Sequence, residues 1–382
     1  MKALSNRDLR LIFSTNAVGS FGDGLFAYIL PVYMSDNLGA SAVEIGILYA
    51  VMGLFAAFTL LVAGALADRF DRKKIMIAGW LAWLPAPLMF SLAQNWVQAL
   101  PAMVMWGFWL GGPTTTAYII TSAPKTRITE TFTTMSASWS TGYIFSSACG
   151  GYLAGTIGMR YVFYLSTVLY SVACLLLFFI TSQYAIRHEA SSSRNDYSFL
   201  SLLRTKRLAL LSVFFSSLMF VLIMHRQFVP KFFQDAYAYR SLEIGVFGSV
   251  TFAGAAVLGI LLGRFGDRSG KSRALAVSMV LGSASLVVFL FSGDFLVLVL
   301  ASFLMGGSYI AWSLMSAIVG PLAPEECRAR WIAIPQTASM FASVVAPIVG
   351  GLLYEVSAQL LFAVSIVALL LLAVVVAARL AQ

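Results

Sequence analysis

Asp23 stands about 14 residues into an apolar run that covers residues 9–34, roughly 21 Å along it if the run is helical. That depth is near the centre of a bilayer, where a carboxylate has to be neutral, paired or turned towards water. The chemistry open to it is to carry a proton or to contact a cationic part of a ligand. The plain alternative is a structural carboxylate bonded to neighbouring helices. His225 and Arg226 lie just before Pro230 in a second apolar run, 208–233. An arginine keeps its charge. Arg226 must therefore pair with a carboxylate such as Asp23, snorkel outwards or bind an anionic substrate group. His225 is a proton relay or a packing histidine, and neighbours in a helix do not share a face, so both cannot point the same way.

Around these charges the apolar runs carry polar and aromatic side chains: Asn16, Tyr28, Trp106, Trp109, Thr115, Tyr118, Trp139, Tyr143, Gln227, Tyr309, Trp312 and Gln336. Each alone reads as packing or interface anchoring. As a set, their large amphipathic surfaces suit a bulky, partly apolar ligand better than a sugar. No His/Cys/Asp/Glu set with metal-ligand spacing occurs, and the three cysteines form no CxxC. HExxH, Walker A, GxSxG and dinucleotide fingerprints are absent as well. The chain therefore reads as a non-enzyme with no cofactor, which hydrolyses no ATP and is driven by an ion or substrate gradient.

The elements that position these residues follow from composition. The chain has 382 residues, of which 60% are hydrophobic and 11% charged, and its mean hydropathy is +0.86. A soluble chain carries about a quarter charged residues, so most of this one belongs in lipid. Segments long enough to span a bilayer fall at 9–34, 43–66, 75–94, 98–121, 131–156, 158–182, 208–233, 242–265, 274–292, 295–319, 331–355 and 357–380. The first is too long for a signal-peptide core. With the N-terminus inside, all but Arg160, Arg226, Lys231 and Arg240 of the 25 Lys and Arg fall on the cytoplasmic side. The net charge of +9 is thus a topology signal, with a secondary attraction to anionic inner-leaflet lipid. Nucleic acid is not an expected partner.

The sequence also repeats. Pro31 aligns with Pro230, Glu44-Ile45-Gly46 with Glu243-Ile244-Gly245, Asp68-Arg69 with Asp267-Arg268, and Gly150-Gly151 with Gly350-Gly351, roughly 200 residues apart. The expected fold is all-α: twelve transmembrane helices in two pseudo-symmetric six-helix bundles, 1–182 and 208–382, joined by a cytoplasmic linker at 183–207, with both termini cytoplasmic. Between the second and third segments stands Gly64-Ala65-Leu66-Ala67-Asp68-Arg69-Phe70-Asp71-Arg72-Lys73-Lys74, and a weaker copy runs from Gly263 to Arg273.

On that motif the chain resembles the major facilitator superfamily over essentially its whole length. The family pattern is G-x-L-x-D-R-x-G-R-R/K-R/K; here Asp71 replaces the second Gly. The resemblance implies a cytoplasmic gate at Gly64, Asp68, Arg69, Arg72 and Lys73, and at Gly263, Asp267, Arg268 and Lys271. It implies an ion-pair network with Glu325, Glu326, Arg328 and Arg330, and a cavity lined by helices 1, 4, 7 and 10. The antiporter motif of helix 5 keeps Gly142, Gly150 and Gly151 but has Ser146-Ser147 for Gly-Pro. Helix 4 carries no Arg, so a coupling mechanism that rests on one does not apply. Gly22-Asp23-Gly24 followed by Pro31 looks like the drug, macrolide and siderophore exporter branch.

The reading that follows is a secondary active transporter of the plasma (inner) membrane that works by alternating access. It exports amphiphilic, drug-like small molecules in exchange for protons, with Asp23 as the proton carrier and one chain sufficient. A lipid or lysolipid transporter is one alternative. A metal-ion or small-metabolite carrier is another, although Asp23 and His225 are too few ligands to specify a metal. A non-transporting receptor is the reading from a different class.

Overall fold

The computed structural model describes residues 6–124, 128–184, 205–319, 322 and 328–379. Residues 185–204 of the expected linker, Glu325, Glu326 and Cys327 lie outside the described residues, as do the surroundings of Gly64 and the side chains of Asp68, Arg328 and Arg330.

Every described element is helical. The first unit holds α1 (Arg7–Ala27), α2 (Leu30–Asp36), most of α3 (Ala42–Arg69), α4 (Arg72–Trp83), α5 (Pro85–Leu92), α6 (Trp96–Gly107), α7 (Gly111–Ser122), α8 (Ile128–Thr156) and α9 (Met159–Leu177). The second holds α10 (Lys206–Arg226), α11 (Val229–Tyr237), most of α12 (Ser241–Ser269), α13 (Lys271–Phe291), α14 (Phe295–Gly306), a 3₁₀ turn at Gly307–Ile310, α15 (Ala311–Val319), α16 (Arg328–Val356) and α17 (Ala358–Arg379). Two exchanges complete the division: Ser41–Ala50 groups with the second unit and Tyr239–Ser249 with the first.

Among the described residues, ten helical stretches are long and apolar enough to cross a membrane, against twelve expected. Residues 98–121 fall short because the chain breaks at Phe108–Leu110, leaving α6 and α7 with 12 residues each. Residues 131–156 lie in α8, which is 29 residues long but rich in Ser and Thr.

Local chemistry sets the boundaries. Asn6, Asp71, Asn95 and Asp294 cap α1, α4, α6 and α14 with their side chains, satisfying N–H groups that have no partner within the helix. Proline restarts the helix at α2 and α11, where Pro31 and Pro230 stand in the first turn and lack only an N–H that would be unbonded there. The first and seventh expected spans are therefore each two helices joined at a kink.

The repeat is visible in the packing of each unit by itself. In the first, α1 packs on α8 and α9; in the second, α10 packs on α16 and α17. A Cβ on Gly150 would stand 1.7 Å from the Leu25 carbonyl oxygen, and one on Gly350 would stand 2.1 Å from that of Met224. Aligned glycines thus let aligned helices meet backbone to backbone.

Candidate functional site

Asp23 is 3% exposed. The indole N–H of Trp106 donates to its Oδ1 at 2.8 Å, the Tyr170 hydroxyl donates to the same oxygen, and the Tyr143 hydroxyl donates to Oδ2. Four elements converge here: α1 supplies the acid, and α6, α8 and α9 supply the donors. Gly24 makes the approach possible, because a Cβ there would meet Ser146 Oγ at 2.0 Å and Tyr143 Cα at 3.2 Å. Among the described residues, every hydrogen-bond partner of Asp23 is neutral. Three donors satisfy an ionised carboxylate without a counter-ion, and the Tyr143 and Tyr170 hydroxyls, which accept as well as donate, can also take a hydrogen bond from the neutral acid.

Aromatic rings continue outwards from these donors. Tyr170 meets Trp80 at 5.6 Å and Trp83 at 6.3 Å between centroids, Trp83 meets Trp139 at 6.5 Å, and Trp139 meets Tyr143 at 6.0 Å. Trp80, Trp83 and Trp139 also line a cavity of about 390 Å³, together with Asn16, Trp109 and Thr115. The volume lies within the range of small-molecule pockets. Of the residues expected at a cavity, Asn16, Trp109, Thr115 and Trp139 line this one, while Trp106 and Tyr143 bind the acid behind it. Tyr118 does not line it. It is 1% exposed, and its hydroxyl lies 2.9 Å from Asp8 Oδ2 and 2.7 Å from the Thr181 carbonyl oxygen, tying α7 to the start of α1. Tyr28 packs where a side chain on Gly248 would stand. Tyr170, Trp80 and Trp83 are members of the site that the sequence reading did not include.

In the second unit Arg226 ends α10. Its Nη2 donates to the Ser308 carbonyl oxygen at 3.0 Å and lies 3.2 Å from Ser308 Oγ, and the guanidinium stands 3.9 Å above the Tyr309 ring. Both partners belong to the 3₁₀ turn between α14 and α15, where the Ser308 carbonyl oxygen also accepts from the Ala311 N–H. Arg226 Nε and Gln227 Oε1 are buried with no hydrogen-bond partner among the described residues. His225 is fully buried, with Nδ1 2.8 Å from the Val221 carbonyl oxygen of its own helix and Nε2 unbonded, an arrangement suited to packing. Asp23 and Arg226 thus each take partners from their own unit. Trp312 is 38% exposed, and Gln336 is half-buried on α16.

The motif residues act as clamps inside each unit. Arg72 Nη1 reaches the Ala117 carbonyl oxygen at 3.2 Å, Thr121 Oγ1 at 2.8 Å and Gln183 Oε1 at 2.7 Å. Lys271, its aligned counterpart, donates to the Ala317 carbonyl oxygen at 3.0 Å. Each cation therefore ties the start of one helix to the end of the one packed beside it, α4 to α7 and α13 to α15. Lys73 donates to the Phe178 carbonyl oxygen at 2.7 Å. Asp71, which departs from the family pattern, caps α4 through the Lys73 N–H and also accepts from the Gln183 N–H. Arg69, Asp267 and Arg268 are exposed, and Gly263 has open space around it.

The sequence profile described as Major Facilitator Superfamily matches residues 12–247 and 228–381. Multidrug resistance protein 2 of Bacillus subtilis (strain 168) is 24% identical over 365 residues, 91% of this chain and 88% of its own length. Multidrug resistance protein MdtG of Salmonella paratyphi C (strain RKS4594) is 28% identical over 296 residues, 73% of this chain and 71% of its own. The crystal structure of the nucleoside transporter NupG superimposes with a TM-score of 0.83 at 16% identity, over 98% of this chain and 99% of that one; at that identity the likeness is one of fold. With the profile matched across both halves and membrane-length helices among the described residues, the chain belongs to the Major Facilitator Superfamily and is a multi-pass plasma-membrane (inner-membrane) secondary transporter.

Proposed function

We propose that this transporter exports amphiphilic, drug-like molecules in exchange for protons, and that Asp23 carries the coupling proton. The observation that carries the reading is a buried carboxylate held by three neutral donors, with no cation among its partners. Its charge is sustained only while those hydroxyls and the indole stay in place. Four elements supply the acid and its donors, so a rearrangement of α1 against α6, α8 or α9 withdraws donors and makes proton uptake the cheapest way to keep the carboxyl group in an apolar interior. Return of the donors favours release. The cavity of about 390 Å³, lined by tryptophans whose rings touch the same donors, supplies the link to substrate. A bulky apolar ligand that shifts Trp83 or Trp139 also shifts Tyr170 or Tyr143. Similarity to two multidrug resistance proteins supports this choice of substrate class.

In this reading the chain has twelve spans, with both termini and the basic loops in the cytoplasm, and works as a monomer. The test is flux in proteoliposomes of pure protein: a cationic amphiphilic dye and lumenal pH followed together under an imposed proton gradient. Opposite, coupled fluxes are expected. Dye movement that ignores the gradient contradicts the proton role.

Arg226 favours a second reading, transport of a lipid or another amphiphile with an anionic head. Its guanidinium keeps Nε unbonded beside an aromatic ring. Competition by zwitterionic or anionic lipid, and none by cationic dye, would establish it.

A further inference from the structure

We propose that the second unit holds an anionic phospholipid of the cytoplasmic leaflet in the cavity at the start of α13, its phosphate between Arg207 and Arg273 and its acyl chains along Leu210, Val213 and Val375. The cavity measures about 930 Å³ and is walled by α10, α13, α15 and α17. Its composition is divided along the helix axes. Arg207, Lys271 and Arg273 sit at the end where α10 and α13 begin, while Leu210, Val213, Phe214, Leu372 and Val375 continue away from it. Leu210 is 68% exposed, Val213 66% and Val375 44%, so the apolar stretch opens sideways to lipid. Lys271 is occupied by the Ala317 carbonyl oxygen. Arg207 and Arg273 are exposed and have no hydrogen-bond or ion-pair partner among the described residues. A cationic end above an apolar, laterally open wall is complementary to a lipid with a negative head and to few other molecules of the cell.

The repeat shows what is missing. In the first unit the place aligned with Gly270 is Asp71, whose carboxylate caps α4, and the place aligned with Arg207 is Asp8, which accepts from Tyr118. The chain at Phe178–Gln183 then folds over that corner: the Gln183 carbonyl oxygen accepts from the Arg72 N–H at 2.9 Å and Lys73 holds the Phe178 carbonyl oxygen. In the second unit both acids are gone. Gly270 leaves α13 with no side-chain cap, Gly270 and the first-turn residues Lys271, Ser272 and Arg273 line the cavity, and α17 runs on as helix to Arg379. Among the described residues, the corner that the first unit fills with its own carboxylates and chain is, in the second, basic and without a carboxylate. A lipid phosphate supplies the negative charge that Asp71 and Asp8 supply in the first.

The assay is native mass spectrometry of the delipidated full chain in neutral detergent, titrated with dioleoyl phosphatidylglycerol, dioleoyl phosphatidylcholine or inorganic phosphate. Wild type should retain phosphatidylglycerol in preference to phosphatidylcholine, and inorganic phosphate should not displace it at equal concentration. Loss of two interfacial charges in Arg207→Gln/Arg273→Gln should weaken retention about tenfold to thirtyfold, while Arg264→Gln, exposed near the end of α12 but outside the cavity, should leave it unchanged. Equal retention of the two lipids, an unaltered double variant, or displacement by inorganic phosphate overturns the proposal. Val213→Trp gives a reading that leaves the arginines in place: brominated phosphatidylglycerol should quench the added fluorescence at a lower mole fraction than brominated phosphatidylcholine, and equal quenching overturns it as well.

Discussion

Gly150→Ala is the smallest change that should pull the Asp23 site apart. The new Cβ would stand 1.7 Å from the Leu25 carbonyl oxygen, 2.5 Å from its carbon and 2.7 Å from Leu25 Cα. All three are backbone atoms of α1, so no side chain can swing aside. Ordinary contact between carbon and a carbonyl oxygen begins near 3.3 Å, so α1 and α8 must separate by more than an ångström. Asp23 lies two residues before Leu25, and its donor Tyr143 lies two turns before Gly150, so the Tyr143–Asp23 hydrogen bond is lost with the helix contact. Overpacking against a rigid neighbour costs about 1–3 kcal/mol, and a buried hydrogen bond to a charged group contributes about 1.5–3 kcal/mol. The sum, about 2.5–6 kcal/mol, corresponds to a fall in Tm of roughly 10 °C for a unit of this size. Gly155 is the control: a Cβ there meets nothing within 4 Å, and Gly155→Ala should be neutral or stabilise by up to about 1 kcal/mol. Tryptophan fluorescence during heating in detergent reads both. A Gly150→Ala protein that melts within about 2 °C of wild type and transports normally would refute the packing account.

Two further outcomes follow from the same geometry. Tyr170→Phe removes one donor to Asp23 and keeps the ring contacts with Trp80 and Trp83; it should cost about 1.5–3 kcal/mol and change the pH dependence of transport, whereas unchanged stability and an unchanged pH profile would mean that the hydroxyl is idle. Arg72→Met unties α4 from α7 and from Gln183, and should cost about 2–3 kcal/mol, seen as a lower melting temperature and faster proteolysis near residue 183.

The repeat made much of the fold readable before any coordinates. Gly150 and Gly350 keep their spacing because aligned helices need the same close approach, and Arg72 and Lys271 because the same clamp recurs. Pro31 and Pro230 were legible as an aligned pair, but each span was expected as one helix, and the break at each proline is a finding of the structure. The ten membrane-length helices fall short of the twelve expected spans where the chain departs from a uniform apolar helix: α8 carries Ser and Thr along its length, and α6 and α7 are halves divided at Phe108–Leu110. Asp23 was legible as an acid deep in an apolar run and Trp106 and Tyr143 as cavity-lining candidates, while their bonds to Asp23 come from the structure. Tyr170, Trp80 and Trp83 were not legible, because an aromatic residue in an apolar run looks the same whether it packs or, like Tyr170, donates to an acid 147 residues away. Ser308 was illegible for a different reason: it meets Arg226 from a 3₁₀ turn, where one continuous span was expected. Tyr118 shows the converse, a polar aromatic on an expected lining helix that is spent on Asp8 at the helix end.

The measurement that tests the account most directly is coupled flux in Asp23→Asn. The amide is nearly the shape of the acid and keeps an oxygen for Trp106, Tyr143 or Tyr170, but it can neither take up nor release a proton. In proteoliposomes with an imposed gradient, the variant should fold, bind the cationic dye and show no proton-coupled dye movement at any pH. Wild-type dye flux with its pH dependence intact would leave Asp23 a structural carboxylate and place the coupling elsewhere.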